Sequence, residues 1–172
     1  MRERLDVVGI GNAMVDAIIP SSRTEVEKHQ INRDSMNLIN EELKNKLHKD
    51  YSIQEMIGGG SLGNSMFGIV SFGGNGSFIG KIKNDDVGIF LQKDMVREGL
   101  QFPLGFTSPD ISTGCCTIFV EADGTRTMCT FLGAGSLIGP DDIQAQQITG
   151  HKIAYLEGYL WDNENAKKAM KK

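Results

Sequence analysis

The residues that point most clearly to a binding site are a glycine-rich run over 58–63, which contains Gly58, Gly59, Gly60 and Gly63 and directly precedes Asn64. The run lies between a predicted strand, 52–57, and an apolar segment predicted to be a helix, 62–72. Glycine has no Cβ, so a ligand can approach the backbone closely and the chain can turn sharply. The first N–H groups of a helix have no partner within it and are free to bind oxygen atoms. The segment is therefore a candidate floor for a site that binds an oxygen-rich ligand.

Two polar residues follow the first predicted strand, 5–10, where ligands commonly bind in α/β proteins. Asn12 offers both a donor and an acceptor, and Asp16 offers acceptors only. Together they could hold two neighbouring hydroxyl groups. Taken alone, each residue is more typical of a turn asparagine or a solvent-facing aspartate than of a binding site.

The glycine run allows other interpretations. Gly58, Gly60 and Gly63 fit the G-x-G-x-x-G pattern, and an acidic pair, 85–86, follows about 20 residues later, as in a dinucleotide-binding dehydrogenase. A phosphate-binding P-loop is excluded, because no Gly-Lys-Ser/Thr follows the glycines. A turn that only allows a helix to pack closely on a sheet is the third interpretation.

Strands and helices alternate along the chain. The predicted strands cover 5–10, 13–19, 35–39, 52–57, 77–82, 115–121, 126–131 and 153–157. The predicted helices are a short one capped by Asn40 and those over 62–72, 85–98, 141–147 and 163–172. This order predicts an α/β fold with a mostly parallel sheet, and the Asp123-Gly124 hairpin predicts a smaller β element beside it.

Composition narrows the class of protein. The chain has 172 residues and a net charge of −4, which argues against a nucleic-acid surface. Its three cysteines form no disulfide framework, and its three histidines lack partners at metal-ligand spacing, so we predict no metal site. We find no signal peptide and no apolar run of membrane-spanning length, and we expect a cytoplasmic protein.

The strand-end residues, the glycine run and several later segments, taken together, resemble the PfkB family of carbohydrate and nucleoside kinases, which has the ribokinase-like fold. The resemblance is strongest to its adenosine-kinase-like branch. The matching segments occur in family order and are 8–16, the Gly-Gly-x-x-x-Asn signature within 59–65, 79–88, 123–127 and 155–159.

The resemblance implies a three-layer α/β/α sheet with a small β-sheet lid, whose strands come from about 13–39 and 113–131. It implies transfer of the γ-phosphoryl group of ATP, with Mg²⁺, to a hydroxymethyl group of a sugar or nucleoside. By the same resemblance, a riboside such as adenosine is the favoured substrate. The substrate-binding residues would be Asn12, Asp16, Gly59, Gly60 and Asn64. Two weaker candidates for lining the lid side are Cys116 and Met128.

The resemblance also implies that this sequence is the N-terminal half of such a kinase, a single incomplete domain over 1–172. The family's catalytic Gly-Ala-Gly-Asp motif is expected beyond Lys172, so no catalytic residue is assigned. The segment 133–136 is similar but carries Ser136 in place of the aspartate, and we interpret it as a loop. We expect the fragment to bind ATP and Mg²⁺ poorly and to lack turnover alone.

The expected partners follow from this interpretation. They are a small sugar or nucleoside, and either a second copy bound through the lid or a complementing C-terminal half. No nucleic acid or membrane is expected. Two alternatives stay open: an NAD(P)-dependent oxidoreductase that uses 58–63, and a riboside-binding module without catalysis.

Overall fold

A computed structural model describes residues 5–103, 105–108 and 110–172, with only the backbone given for 106 and 107. The strands are β1 (Leu5–Ile10), β2 (Met14–Pro20), β3 (Met36–Leu38), β4 (Glu55–Gly59), β5 (Gly76–Ile79), β6 (Ile82–Lys83), β7 (Phe106–Ser108), β8 (Gly114–Val120), β9 (Arg126–Phe131) and β10 (His151–Leu156). The helices are α1 (Arg23–Glu27), α2 (Glu41–Asp50), α3 (Ser61–Ser71), α4 (Asp86–Arg97), α5 (Ala145–Thr149) and α6 (Glu164–Met170). Short 3₁₀ helices cover Gly133–Leu137, Pro140–Asp142 and Gly158–Asp162.

A three-stranded parallel sheet with the strand order β10-β1-β5 forms the middle layer of the main α/β part of the fold. Successive side chains of β1 point to opposite faces, so Val7 and Val8 enter different cores. Val7 packs with Leu62 and Met66 of α3, whereas Val8 packs with Ala166 of α6. Helices therefore cover both faces of the sheet, which confirms the predicted three-layer α/β/α arrangement.

The second sheet has five strands in the order β3-β9-β8-β2-β4 and contains both parallel and antiparallel pairs. One face is buried, where Ile19 and Phe119 pack with Leu47 of α2. The opposite face carries Asp16 and is open in part, since Leu38 is 65% exposed. The segments 13–39 and 113–131 contribute strands to this sheet, and β4 joins them. That this sheet acts as a lid stays a prediction.

The ends of the helices agree with their capping residues. Asn40 accepts a hydrogen bond from the Leu43 N–H at the start of α2, and Asp85 accepts one from the Gly88 N–H at the start of α4. Gly99 follows α4 with a φ of +90°, the left-handed conformation that commonly ends helices.

Three predicted elements were wrong in detail. The strand expected over 77–82 is interrupted at Gly80, and β6 pairs with β7 in a separate sheet. The helix expected over 141–147 is a 3₁₀ turn followed by α5. The segment 133–136, interpreted as a loop, is a buried 3₁₀ helix.

Strand β10 lies at one edge of the parallel sheet, and five of its six residues are exposed. Ile153 is 59% exposed although it lies beside the buried Val7 in register. Within the described parts of the chain, no helix has the length and apolar character needed to cross a membrane.

Candidate functional site

The site lies where the chain crosses from one sheet to the other. β1 ends at Ile10 in the parallel sheet, and β2 begins at Met14 in the five-stranded sheet. Asn12 therefore sits at the carboxyl end of β1, while Asp16 lies on β2 between Ile57 and Cys116 of the neighbouring strands.

A glycine bend, which we define as Gly58–Gly60, brings β4 against Asp16. A Cβ built on Gly59 would lie 2.2 Å from the Asp16 carboxyl carbon, so only glycine leaves room for that carboxylate. Gly60 has φ +80° and ψ 160°, a conformation that is essentially restricted to glycine, and it is the N-cap of α3. Its backbone N–H donates a hydrogen bond to the Asp16 carboxylate. The bend thus fixes Asp16 from two sides.

Glu157 holds Asn12 in place. The backbone N–H and the side-chain Nδ2 of Asn12 both donate to Glu157 Oε2, each over 2.7 Å. The other carboxylate oxygen accepts the Leu62 N–H at 3.2 Å, at the start of α3. Glu157 is buried, and the N-terminus of an 11-residue helix favours a negative charge there.

This anchoring leaves one acceptor of Asn12 without a partner. Its Oδ1 is buried and makes no hydrogen bond to any described residue. Buried polar atoms are normally paired, so an unpaired carboxamide oxygen at the carboxyl end of a strand indicates a position for a ligand donor such as a hydroxyl.

Burial raises the pKa of the Asp16 carboxyl above its usual value, and the hydrogen bond from the Gly60 N–H opposes that shift. The neighbouring Cys116 thiol stays protonated at neutral pH, because burial raises its pKa to about 11. The Thr130 hydroxyl donates to its sulfur at 3.3 Å. Cys116 therefore contributes surface to this face but neither charge nor a nucleophile.

Asn64 lies in the first turn of α3, and its backbone N–H donates to the Gly60 carbonyl at 3.0 Å. Its side chain is exposed and makes no hydrogen bond to the described residues. The structure thus gathers Asn12, Asp16, Gly59 and Gly60 at one place and puts Asn64 one helical turn away.

An apolar cavity of about 210 Å³ opens beside the five-stranded sheet. It is lined by Leu38, Ile39, Ile111, Thr130, Phe131, Leu132, Gly133 and Ser136. Thr130 pairs in register with Cys116, which pairs with Asp16, so the cavity begins two strands from that carboxylate. Met128 shares this face and lies beside Met36 of β3, which is 51% exposed.

Two contributions to the site were not predicted from the sequence. No role was assigned to Glu157, although an acid that closes a strand next to a strand-end asparagine is a usable signal. The 3₁₀ helix Gly133–Leu137 also approaches the site, since a Cβ on Gly135 would lie 3.2 Å from the Asn12 Cα. That contact joins segments far apart in the chain, and no local pattern predicts it.

The dinucleotide interpretation lacks its structural context. A dinucleotide fingerprint needs a parallel strand before the glycines. Here β4 precedes them, and it pairs antiparallel with β2 in the five-stranded sheet, whereas β5 after the helix belongs to the parallel sheet.

The model of the pfkB family carbohydrate kinases matches residues 5–172. The chain belongs to the PfkB family. A comparison with curated proteins found no match.

Solved structures of family kinases share the fold. A probable sugar kinase from Rhizobium etli CFN 42 superposes with a TM-score of 0.87 at 34% identity, covering 98% of this chain and 51% of that chain. The adenosine kinase from Sinorhizobium meliloti gives 0.87 at 35% identity, covering 97% and 51%. The adenosine kinase from Schistosoma mansoni in complex with 2-fluoroadenosine gives 0.78 at 21% identity, covering 91% and 48%, which shows the fold alone.

This PfkB chain spans about half the length of the kinases it matches. Its described residues contain no group of three or more His, Cys, Asp or Glu side chains that could hold a metal ion.

Proposed function

We propose that this chain is the substrate-binding half of a PfkB kinase that phosphorylates the hydroxymethyl group of a riboside, with an adenosine-like nucleoside favoured over a free sugar. One observation carries the proposal. The unpaired Asn12 Oδ1, the Asp16 carboxylate and the glycine bend meet at the crossover between the two sheets.

The polar groups suit the ribose. Asp16 accepts hydrogen bonds from hydroxyls, and the Asn12 Oδ1 accepts one more. Asn64 extends the polar surface along α3. The absence of a side chain at Gly59 and Gly60 leaves the room that the Asp16 carboxylate and the Met14 side chain occupy.

The apolar cavity is suited to a nucleobase. It is lined mainly by aliphatic and aromatic side chains and lies on the same side of the sheet as Asp16, so a ligand with a polar and an apolar end fits this arrangement. Free ribose has no apolar part to occupy the cavity. The adenosine kinase from Sinorhizobium meliloti, at 35% identity, supports this preference.

Phosphoryl transfer belongs to the complete enzyme, which would use ATP and Mg²⁺. The residues of this chain bind and orient the acceptor, and the five-stranded sheet, acting as a lid, excludes water around it. We propose that 1–172 is a single incomplete ribokinase-like domain. Its exposed strand β10 would pair with a complementing C-terminal half, and a homodimer through the lid is the alternative assembly.

Isothermal titration calorimetry with adenosine, ribose and NAD tests the binding proposal. We expect adenosine to bind more tightly than ribose, and Asp16→Ala to weaken adenosine binding by about tenfold or more, the effect of losing hydrogen bonds to a charged acceptor. Glu55→Ala is the matched control, because that carboxylate is exposed on the neighbouring strand. Binding of NAD without binding of either riboside would contradict the proposal.

An ATP-dependent turnover assay separates a kinase half from a binding module. The chain alone is expected to show no turnover, and adding a separately produced C-terminal half of a matched kinase is expected to restore it. Adenosine binding without turnover under every such condition would favour the non-catalytic module.

A further inference from the structure

We propose that Asp94, in the last turn of α4, is a positioning residue that sets the glycine bend against Asp16. This inference rests on the proposed riboside site, which it extends to α4. The exposed fraction of Asp94 is 5%, so its side chain is buried.

The main contact is a hydrogen bond to the backbone of the bend. The Gly58 N–H donates to Asp94 Oδ2 over 2.8 Å, and both groups are buried. Gly58 lies in β4, which pairs with β2 on one side only, because β4 is the edge strand of the five-stranded sheet. Asp94 supplies the acceptor that a further strand would otherwise provide.

Packing makes this contact tight. A Cβ on Gly58 would lie 2.8 Å from Asp94 Oδ2 and 2.8 Å from the Phe67 ring, so Gly58 is enclosed between α4 and α3. No side chain fits at Gly58 in this arrangement, and its backbone cannot move away from α4 without losing the Asp94 acceptor.

The position of Gly58 is transmitted to Asp16 within two residues. Gly59 already lies so close to the Asp16 carboxylate that no Cβ fits, and Gly60 donates its N–H to that carboxylate. A shift of a few tenths of an ångström at Gly58 would therefore move the carboxylate that we assign to the substrate hydroxyls.

The second oxygen of Asp94 contacts Arg97 one turn along α4, which neutralises the buried charge. The Arg97 side chain is 69% exposed, so the ion pair is a minor contribution. The two contacts can be separated by mutation. Arg97→Ala removes the counter-charge and keeps the bond to Gly58, whereas Asp94→Ala removes both.

The test combines adenosine titration with the amide resonances of Gly58 and Gly60 in ¹⁵N NMR. Asp94→Ala should weaken adenosine binding about tenfold or more, shift the Gly60 amide resonance and speed hydrogen exchange at the Gly58 amide. Asp94→Asn keeps one acceptor oxygen and should stay within about threefold of the wild type. Arg97→Ala should behave like the wild type.

Two further variants distinguish positioning from general stability. Asp94→Glu keeps the charge but moves the carboxylate by one methylene, so it should bind adenosine more weakly than Asp94→Asn; this comparison also stands if the alanine variant does not fold. Ile138→Val loosens the core on the opposite face of the parallel sheet and should leave the affinity and the Gly60 resonance unchanged.

Unchanged glycine resonances and affinity in Asp94→Ala would overturn the inference, as would an Asp94→Glu variant that binds as well as Asp94→Asn. Failure of the wild type to bind any riboside would reject the proposed function instead. The glycine resonances would still decide whether Asp94 positions the bend.

Discussion

Replacing Glu157 by glutamine tests the anchoring of Asn12 most directly. The substitution preserves size but leaves one acceptor oxygen and one NH₂ group where two acceptor oxygens stood. If the oxygen faces Asn12, the NH₂ group faces the Leu62 N–H, which then has no acceptor; the opposite orientation leaves both Asn12 donors unpaired.

The magnitude follows from those contacts. One buried donor without a partner costs about 1–3 kcal/mol. Loss of a negative charge at the start of α3 adds about 0.3–1 kcal/mol. We therefore expect Glu157→Gln to lower the free energy of unfolding by about 1.3–4 kcal/mol, which corresponds to a fall in Tm of roughly 3–16 °C for a chain of this size.

Urea unfolding followed by circular dichroism measures this change, and calorimetry with adenosine measures its effect on the site. Glu55→Gln is the matched control, because Glu55 is exposed on β4, and its stability should stay within about 0.5 kcal/mol of the wild type. If Glu157→Gln were as stable as Glu55→Gln and bound adenosine normally, the assigned role of Glu157 would be wrong.

Three other predictions concern the bend, the buried acid and the open edge. Gly60→Ala should lower the free energy of unfolding by about 1–3 kcal/mol in urea unfolding, because the φ angle of Gly60 is +80°. Gly68→Ala should raise it by about 0.5–1 kcal/mol, because Gly68 lies inside α3 with open space around it. Equal effects of the two substitutions would refute the strain argument. Burial raises the pKa of Asp16 in the folded state above its value in the unfolded chain. Protonated Asp16 therefore favours the folded state, fully at a pH below the unfolded-state pKa. This stabilisation is lost as the pH rises through the folded-state pKa. Asp16→Asn should therefore raise Tm at pH 7, where it weakens adenosine binding, and the gain in Tm should disappear near pH 3. Light scattering at high concentration should detect self-association of the chain, reduced in Ile153→Lys, and a monomeric wild type would contradict this role of β10.

Local signals predicted much of this fold. The apolar run of β1, the capping residue Asn40 and the Asp-Gly hairpin each depend on neighbours in sequence, and the structure contains each element. The predicted strand over 77–82 was wrong: β5 ends at Ile79, and a Cβ on Gly80 would lie 2.8 Å from the carbonyl oxygen of Gly11, a contact between distant segments that no local pattern predicts.

The residues that form the site could be predicted from the sequence, but the residues that hold them in place could not. Asn12, Asp16 and the glycines stand out by residue type and by their place at strand and helix ends. Glu157 and Asp94 act on them across 145 and 36 residues of chain, respectively. Such contacts form only when the sheets and helices are assembled, so a single sequence does not show which distant residues will meet.

The crossover between the sheets has a consequence for affinity. Asn12 is tied to the parallel sheet through Glu157, while Asp16 belongs to the five-stranded sheet, and only residues 11–13 connect β1 to β2. A molecule held by both side chains bridges the two sheets, so the dissociation constant it would have with both side chains in place is divided by the fraction of time that they stand at the right separation. Mutations in residues 11–13 that change this fraction should thus change affinity by a common factor for every ligand that both side chains hold, and leave the ranking of those ligands unaltered.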